Sequence, residues 1–332
     1  MKRFVIFLLL AALAIRVPVT AADPEILRFE ESMDAMGATY SIIVYGTDRA
    51  RMLGAVELAF DEAKRLDQLL SNYRPASEWS QVNRYAAERP VKVSSELFDL
   101  LAACVEYSRQ SGGAFDISVG PLMKVWGFYK GSGHLPHRAE VRGALTHVGY
   151  RNLILDPKVR TVRFREPGVE IDPGGIGKGY AVDRMVALLK ANGVVSGMVS
   201  GGGSSIYAIG TPPDEKRGWR ISIRDPRDER KTAQEVFLKD ESMSTSGSYE
   251  KFFRAEGRIY SHIMDPRTGF PAPGMLSASV IAPKTIDSEA WAKPFFIDGL
   301  KKGRQWAVEF KSKGFRVYLC EDRSELSCAW LQ

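Results

Sequence analysis

Cysteine is scarce in this 332-residue chain, which contains only Cys104, Cys320 and Cys328. Three thiols cannot build a disulfide scaffold, and none has the C-x-x-C spacing of a thiolate zinc site. Cys104 lies among apolar residues at helical spacing, so we expect it to be a core side chain. Cys320 and Cys328 are close enough for a hairpin to join them in a disulfide, but two thiols on opposite strand faces fit the spacing nearly as well.

Long apolar segments are also lacking beyond the N-terminus. Residues 1–21 combine a basic start, a short apolar run and a small-residue end at Ala21. A helix needs about 20 apolar residues to span a bilayer, so the shorter run predicts a cleaved signal peptide rather than an anchor. Cleavage removes Lys2, Arg3 and Arg16 and lowers the formal charge from +6 to +3. We therefore expect residues 22–332 to be one exported domain, periplasmic or otherwise secreted, with no transmembrane segment.

Several common functional signatures are missing as well. No G-x-S-x-G motif is present, which argues against an ordinary hydrolase. The glycine-rich segments match neither G-x-x-x-x-G-K-[ST] nor G-x-G-x-x-G, the two common phosphate-binding loops. No basic patch is interleaved with aromatic residues, so we expect no nucleic-acid partner.

The segments that are present mix helices with many short strands. Apolar periodicity predicts helices over residues 49–73, 95–111 and 178–193, with Gly112 ending the second. Strand-like runs are more numerous and often adjoin in sequence; they cover residues 38–46, 152–156, 161–166, 168–172, 197–202, 205–210, 219–225, 278–283 and 315–321. The polar segments 224–235 and 244–253 are typical of loops. This pattern predicts an α+β fold with mostly antiparallel sheets flanked by helices.

One glycine-rich segment suits an anion. IDPGGIGKGYAVD (residues 171–183) joins a predicted strand to a predicted helix. Glycines let backbone N–H groups approach a phosphate closely, the helix N-terminus adds a positive dipole, and Lys178 adds a charge. A tight turn with a solvated lysine is the structural alternative. A second glycine cluster, VSGGGSSIYAIG (residues 199–210), is compatible with a flat ligand or with a simple turn.

A histidine motif offers a candidate base. YSHIMDPRTGFPA (residues 260–272) places His262, Asp265 and Arg267 in one turn. Histidine suits proton abstraction near neutral pH, and arginine suits phosphate. STSGSYEKFF (residues 244–253) adds the hydroxyl groups of Thr245 and Ser246. A lone histidine is more often structural, but the surrounding Asp, Arg and Gly favour a functional role for His262.

Six motifs together resemble one family. In chain order they are MGATYS, LSNYRPASEWSQVN, GGAFDISVGPLMKVWGF, IDPGGIGKGYAVD, STSGSYEKFF and YSHIMDPRTGFPA. This ordered set, from about Met36 to Gly299, resembles the ApbE family of exported FAD:protein FMN transferases. The resemblance implies an ApbE-like fold and a periplasmic enzyme that binds FAD, uses Mg²⁺ and transfers FMN to a threonine or serine hydroxyl of an acceptor protein, with release of AMP. Some relatives instead hydrolyse FAD to FMN and AMP.

The resemblance also assigns candidate FAD contacts. Carried over by position, they are Met36, Tyr73, Ala114, Phe115, Asp116, Asp172 and Lys178. Met36 and Tyr73 are suited to pack on a flavin or adenine ring. Asp116 can accept hydrogen bonds from adenine or ribose, and Lys178 can hold the diphosphate. His262 matches the family histidine that activates the acceptor hydroxyl.

The metal position departs from the family pattern. The family holds Mg²⁺ with an Asp, a Thr four residues later and backbone carbonyls. In this chain Glu289 takes the Asp position and Lys293 the Thr position, with Gly175 and Ile286 at the carbonyl positions. A protonated lysine cannot ligate Mg²⁺. The alternatives to transfer are therefore a flavin-binding or flavin-storage protein without turnover and an FAD diphosphatase.

Overall fold

The computed structural model describes residues 25–131 and 133–331. The predicted signal peptide, residues 1–21, lies outside these described residues. The helices that the structure describes are α1 (Arg49–Leu70), α2 (Glu78–Tyr85), α3 (Ser95–Gln110), α4 (Gly120–Val125), α5 (Arg138–Leu145), α6 (Gly177–Ala191) and α7 (Thr285–Lys311). α7 bends at Gly299, whose φ is 61°. Within the described part of the chain, no helix is both long and apolar enough to span a bilayer.

The strands are short and numerous, as the sequence predicts. They are β1 (Leu27–Ala35), β2 (Ala38–Gly46), β3 (Val91–Lys92), β4 (Leu153–Asp156), β5 (Thr161–Phe164), β6 (Ser196–Gly201), β7 (Ser205–Ile209), β8 (Trp219–Arg224), β9 (Thr232–Leu238), β10 (Glu241–Gly247), β11 (Phe252–Ala255), β12 (Arg258–Ser261), β13 (Met264–Asp265), β14 (Phe270–Pro271), β15 (Met275–Ala282), β16 (Arg316–Glu321) and β17 (Ser327–Leu331).

Eight strands form the central sheet. Their order is β1-β2-β6-β7-β10-β15-β16-β17, and every neighbouring pair is antiparallel. The small sheets are likewise antiparallel. The predicted α+β class with mostly antiparallel sheets is therefore confirmed.

Alternation along the strands explains why both faces of the central sheet are covered. On β2, Tyr40, Ile42 and Val44 are fully buried against α1 and α6. Further along the same sheet, α7 buries Trp291 and Phe295 over β10 and β15. The β8–β9 ribbon covers the opposite face with its own apolar residues. Because a strand's side chains alternate between faces, one sheet can carry a core on each side.

Three local predictions need correction. Residues 168–172 form no strand, because they pair with no neighbouring strand and lead directly into a short 3₁₀ turn at Pro173–Gly175. The polar segment 224–235 is only partly a loop, since β9 begins at Thr232. The serine-rich segment 244–253 begins inside the central sheet, as part of β10. Hydroxyl groups on β10 bond to hydroxyl groups of Ser279 on β15 and Ser288 on α7 and to the Ala282 carbonyl oxygen, which lets polar residues occupy a buried strand.

The structure decides between the two alternatives for the C-terminal cysteines. Cys320 on β16 lies directly opposite Cys328 on β17, and the two form a disulfide. Of the two alternatives that the sequence left open, the disulfide is the one that the structure shows. Cys104 is a fully buried free thiol on α3, as expected of a core side chain.

Candidate active site

The first glycine segment folds into a turn that is held by a carboxylate. Asp172 accepts a hydrogen bond from the Gly174 N–H at 2.8 Å and caps the 3₁₀ turn Pro173–Gly175. Its other oxygen accepts from the Asn72 side-chain amide at 3.0 Å. Burial raises the pKa of Asp172, while the hydrogen bond from Gly174 opposes the rise. Asp172 therefore shapes the turn that leads into α6.

The start of α6 is joined to the start of α7 by two more carboxylates. The Gly179 N–H donates to Glu289 Oε2 at 2.5 Å. In return, Asp183 on α6 accepts from the backbone N–H groups of Thr285 and Ile286 at 2.7 and 2.9 Å. These bonds satisfy N–H groups that the first turn of a helix leaves without partners. The two helix N-termini are thus fixed against each other.

Lys178 links the two glycine-rich segments. Its Nζ donates to the Ser204 hydroxyl at 2.5 Å, in the turn between β6 and β7. That turn contains Gly202 and Gly203 with φ of 61° and 67°, a left-handed conformation that favours glycine. Segments that lie about two dozen residues apart in the chain therefore meet around one lysine.

A second lysine lies beside Glu289. Lys293 Nζ donates to the Glu289 carbonyl oxygen at 2.9 Å and lies 3.7 Å from the Glu289 carboxylate atom Oε1. The Glu289 side chain is 3% exposed and that of Lys293 is 22% exposed. Burial lowers the pKa of Lys293 to about 8, with the charge of Glu289 opposing the shift and that of Lys178 adding to it. Lys293 is thus an ammonium group inside the site at neutral pH.

His262 is partly buried at the end of β12. Its backbone N–H donates to the Lys251 carbonyl oxygen at 2.9 Å, and its ring atom Nδ1 lies 3.2 Å from the same oxygen. Because a carbonyl oxygen only accepts, we assign the ring proton to Nδ1, which leaves the lone pair on Nε2. Burial lowers the pKa of His262 to about 4, and the charges of Lys251, Lys293 and Lys178 add to the shift. The imidazole is therefore a neutral base near two of the site's lysines.

The other two charged residues of the histidine motif bind each other. Arg267 donates to Asp265 Oδ1 at 2.8 Å and to Asp298 Oδ1 of α7 at 2.5 Å. These bonds tie the β13–β14 hairpin to α7. Arg267 therefore positions the hairpin, and its guanidinium is engaged by Asp265 and Asp298.

The two candidate ring contacts lie around the glycine turn. Met36 has a φ of 53°, and its N–H donates to Asp67 Oδ1 at 3.1 Å. Its methyl group lies against Gly177, where an added Cβ would be 3.2 Å from Met36 Cε. Tyr73 is 75% exposed, and its hydroxyl donates to the Tyr129 carbonyl oxygen at 3.3 Å. Both side chains thus have apolar surface beside the turn, with that of Tyr73 open to solvent.

The run Ala114, Phe115 and Asp116 lies beneath the site. All three residues are buried. Asp116 Oδ1 accepts from the backbone and hydroxyl of Ser118 at 2.8 and 2.7 Å, and Oδ2 accepts from the Tyr150 N–H at 2.6 Å. Burial raises the pKa of Asp116, and these hydrogen bonds oppose the rise. In this structure Asp116 therefore holds two loops together, and Phe115 lies under Gly175, where an added Cβ would be 3.5 Å from its ring.

Sequence reasoning missed several residues that shape this site. They are Asn72, Asp183, Ser204 and Lys251, which bond to or lie near the predicted site residues. All four lie in or beside the quoted motifs, since Asn72 precedes Tyr73, Asp183 ends the first glycine segment, Ser204 follows the triple glycine and Lys251 lies in the serine-rich motif. Only the fold brings Asp183 to the start of α7.

The four residues at the family's metal position do not fit Mg²⁺. Glu289 Oε2 accepts a hydrogen bond from the Gly179 N–H at 2.5 Å, and Lys293 Nζ also donates to the Glu289 carbonyl oxygen at 2.9 Å. Lys293 stands where the family has a hydroxyl ligand, and its ammonium, which has no lone pair to offer a metal, lies 3.7 Å from Glu289 Oε1. Across residues 25–131 and 133–331, no group of three His, Cys, Asp or Glu side chains is arranged to hold a metal ion elsewhere.

Comparison with known proteins identifies the family. The profile of the ApbE family matches residues 36–319. The chain belongs to the ApbE family. The FAD:protein FMN transferase of Treponema pallidum is 34% identical over 275 residues, which cover 79% of this chain and 76% of that protein. A second FAD:protein FMN transferase, from Klebsiella pneumoniae, is 31% identical over 273 residues, which cover 81% of this chain and 82% of that protein.

Solved ApbE structures share the fold. The ApbE protein of Thermotoga maritima superposes with a TM-score of 0.82 at 29% identity, over 91% of this chain and 96% of that chain. The flavinyl transferase ApbE of Pseudomonas stutzeri gives a TM-score of 0.79 at 28% identity, over 92% of this chain and 95% of that chain. The ApbE resemblance that the six motifs predict is therefore confirmed.

Proposed function

We propose that this protein is an FAD:protein FMN transferase that moves FMN from FAD to a threonine or serine hydroxyl of an acceptor protein and releases AMP. Membership of the ApbE family and the names of its relatives support this activity. The observation that carries it is the meeting of the glycine turn, Lys178, Lys293 and a neutral His262 in one site. Such a site offers cations to a diphosphate and a base to an attacking hydroxyl.

The residues have distinct roles in this reaction. Backbone N–H groups of the glycine turn and the ammonium groups of Lys178 and Lys293 bind the diphosphate. His262 Nε2 takes the proton of the acceptor hydroxyl as its oxygen bonds to the phosphorus of the FMN half. The bond from that phosphorus to the bridging oxygen breaks, and AMP leaves with the bridging oxygen. The lysines stabilise the negative charge that develops on the leaving phosphate.

The contacts to the rest of FAD follow from the positions of the other predicted residues. Met36 and Tyr73 provide apolar surface for a flavin or adenine ring. Ala114, Phe115 and Asp116 form the floor of the site. Asp172 holds the turn that faces the diphosphate. The Asp116 carboxylate acts through the loops it fixes, because both its oxygens already accept hydrogen bonds.

The proposal includes export. Residues 1–21 act as a signal peptide, and residues 22–332 are the exported flavin transferase domain. The disulfide between Cys320 and Cys328 supports an oxidising compartment such as the periplasm, because cytosolic thiols are kept reduced.

One experiment separates this activity from its alternatives. The mature protein is incubated with FAD and the envelope proteins of the native cell; AMP and free FMN are measured by chromatography, and protein-bound flavin is measured by in-gel fluorescence. Transfer gives AMP and a fluorescent protein band, whereas AMP with free FMN identifies a diphosphatase. Bound FAD without AMP identifies a storage protein and contradicts the proposal. The variant His262→Gln should bind FAD but transfer about 100-fold more slowly.

A further inference from the structure

The Lys293 ammonium has hydrogen-bond donors that its contacts with Glu289 do not use. An ammonium group has three N–H donors. One is used at 2.9 Å by the Glu289 carbonyl oxygen. The carboxylate oxygen Oε1 is 3.7 Å away, which is too long for a hydrogen bond. Two donors therefore remain for a ligand, on a side chain that is 22% exposed.

The surroundings point these donors at the proposed diphosphate position. The Lys293 stem lies beside the glycine turn, since an added Cβ on Gly175 would be 3.7 Å from Lys293 Cε. Lys178 lies three residues further along the same glycine-rich segment, where its Nζ donates to the Ser204 hydroxyl at 2.5 Å. Two cations that approach each other across a glycine turn favour an anion between them.

We infer that the Lys293 ammonium is a built-in cation that replaces a divalent metal, so that the protein binds the FAD diphosphate without Mg²⁺. This inference rests on the proposed function, because the anion is the diphosphate of FAD. Glu289 holds Lys293 in place through its carbonyl oxygen and balances its charge. A divalent ion at the same position would be repelled by the ammonium and would find Glu289 Oε2 already occupied by the Gly179 N–H.

The charges of the site agree with this assignment. Lys178 and Lys293 supply two positive charges, and the buried Glu289 carboxylate supplies one negative charge. The net charge of these three groups is positive before any ion binds. Asp172 and Asp183 also lie at this site, but their oxygens accept hydrogen bonds from backbone N–H groups, so the charged donors left for a diphosphate are those of the two lysines.

The test measures FAD and metal binding directly. FAD affinity is measured by flavin fluorescence in EDTA and in Mg²⁺, and Mn²⁺ binding is followed by electron paramagnetic resonance with FAD present. For the wild type we expect FAD affinities within about twofold in the two conditions and no stoichiometric Mn²⁺. These measurements use only the wild-type protein. FAD affinity that rises tenfold with Mg²⁺, or one Mn²⁺ bound per protein, would overturn the inference.

Two variants locate the cation. Lys293→Met keeps the length of the side chain without its charge, and it should weaken FAD binding about tenfold whether or not Mg²⁺ is present. Lys293→Thr restores a hydroxyl ligand, so its weak FAD binding in EDTA should recover with Mg²⁺. Lys311→Met, at the exposed far end of α7, controls for the loss of one charge on that helix. Circular dichroism confirms that each variant is folded.

The outcomes also separate this inference from the proposed function. A wild type that binds FAD only with Mg²⁺ contradicts the built-in cation and leaves the transferase proposal intact. A wild type that binds FAD in neither condition contradicts both. Unchanged FAD affinity in Lys293→Met would show that the ammonium serves only Glu289, and a Lys293→Thr variant that Mg²⁺ fails to rescue would show that ammonium and metal do not share one position.

Discussion

Gly179 is where the close contact between α6 and α7 can be tested most directly. A Cβ at this position would lie 2.5 Å from the Thr285 carbonyl oxygen and 2.8 Å from Glu289 Oε2. The Thr285 backbone cannot easily move away, because its N–H donates a hydrogen bond to Asp183 Oδ1 at 2.7 Å. Gly179→Ala should therefore force the two helices apart and lengthen the hydrogen bond from the Gly179 N–H to Glu289.

The expected cost follows from three contributions. Overpacking a tight contact costs about 1–3 kcal/mol. Weakening a hydrogen bond to a buried carboxylate costs about 1.5–3 kcal/mol when the bond is lost completely. Alanine offsets about 1 kcal/mol of this, because it is a better helix former than glycine. We expect Gly179→Ala to lower the free energy of unfolding by about 2–4 kcal/mol and Tm by about 5–10 °C.

The matched control is Gly175→Ala in the preceding turn. Its added Cβ would meet only ordinary contacts, at 3.5 Å from Phe115 and 3.7 Å from Lys293. Thermal and urea unfolding of both variants measure the difference, and FAD titration shows whether the loosened Glu289 also weakens binding. If Gly179→Ala melts within about 1 °C of Gly175→Ala, the contact between α6 and α7 is not as tight as the distances imply.

Three further perturbations test separate parts of the structure. Since protonation disables the base and the pKa of His262 is lowered to about 4, the acid limb of kcat/KM should lie near pH 4; a limb at pH 6–7 would contradict the buried neutral imidazole. Lys178→Met should weaken FAD binding about tenfold and leave riboflavin binding unchanged, because riboflavin lacks the diphosphate; equal losses for both ligands would exclude the diphosphate role. Cys328→Ser should lower stability by about 2–3 kcal/mol, the entropy of a loop with a sequence separation of 8 residues, and a reductant should lower the Tm of the wild type but not of this variant.

Three helices, α1, α3 and α6, were predictable because their sequences are consistent with their local structure. Ser94 precedes α3 and accepts a hydrogen bond from the Leu97 N–H, as its side chain predicts for a helix start. Gly112 follows the same helix with a φ of 62°. Such signals lie within a few residues of each other, so no knowledge of the tertiary structure is needed to interpret them.

β10 could not be predicted in the same way. Ser242, Ser244 and Ser246 are all buried in the central sheet. Their hydroxyl groups find partners on other elements, such as Ser288 of α7, which lies 3.0 Å from Ser242 and 2.8 Å from Ser244. This polar strand is stabilised by hydrogen-bond partners some 40 residues away in the chain. The hydropathy of the strand itself does not indicate that those partners exist.

In the site, too, the sequence motifs indicate which residues take part, whereas contacts between distant segments determine how their side chains are placed. The motifs name His262 and Lys178 as candidates, but the direction of the Lys293 side chain depends on Glu289 and on the packing of α7 against the glycine turn. The role of Asp116 likewise depends on the Tyr150 N–H, 34 residues away in sequence. Residue type and spacing predict which groups can do chemistry, while the fold decides which of their atoms are already occupied.

A site with several acids can bind an anion because the carboxylate oxygens already accept hydrogen bonds from the protein. Asp172, Asp183 and Glu289 each accept hydrogen bonds from backbone N–H groups at the start of a turn or helix. Their negative charge is compensated by the donors and by the positive ends of the helices they cap. Lys178 and Lys293 each use one donor on a protein oxygen and keep the others. The carboxylates therefore hold the backbone of the site in place. The hydrogen-bond donors that remain for a ligand are mainly those of the Lys178 and Lys293 ammonium groups.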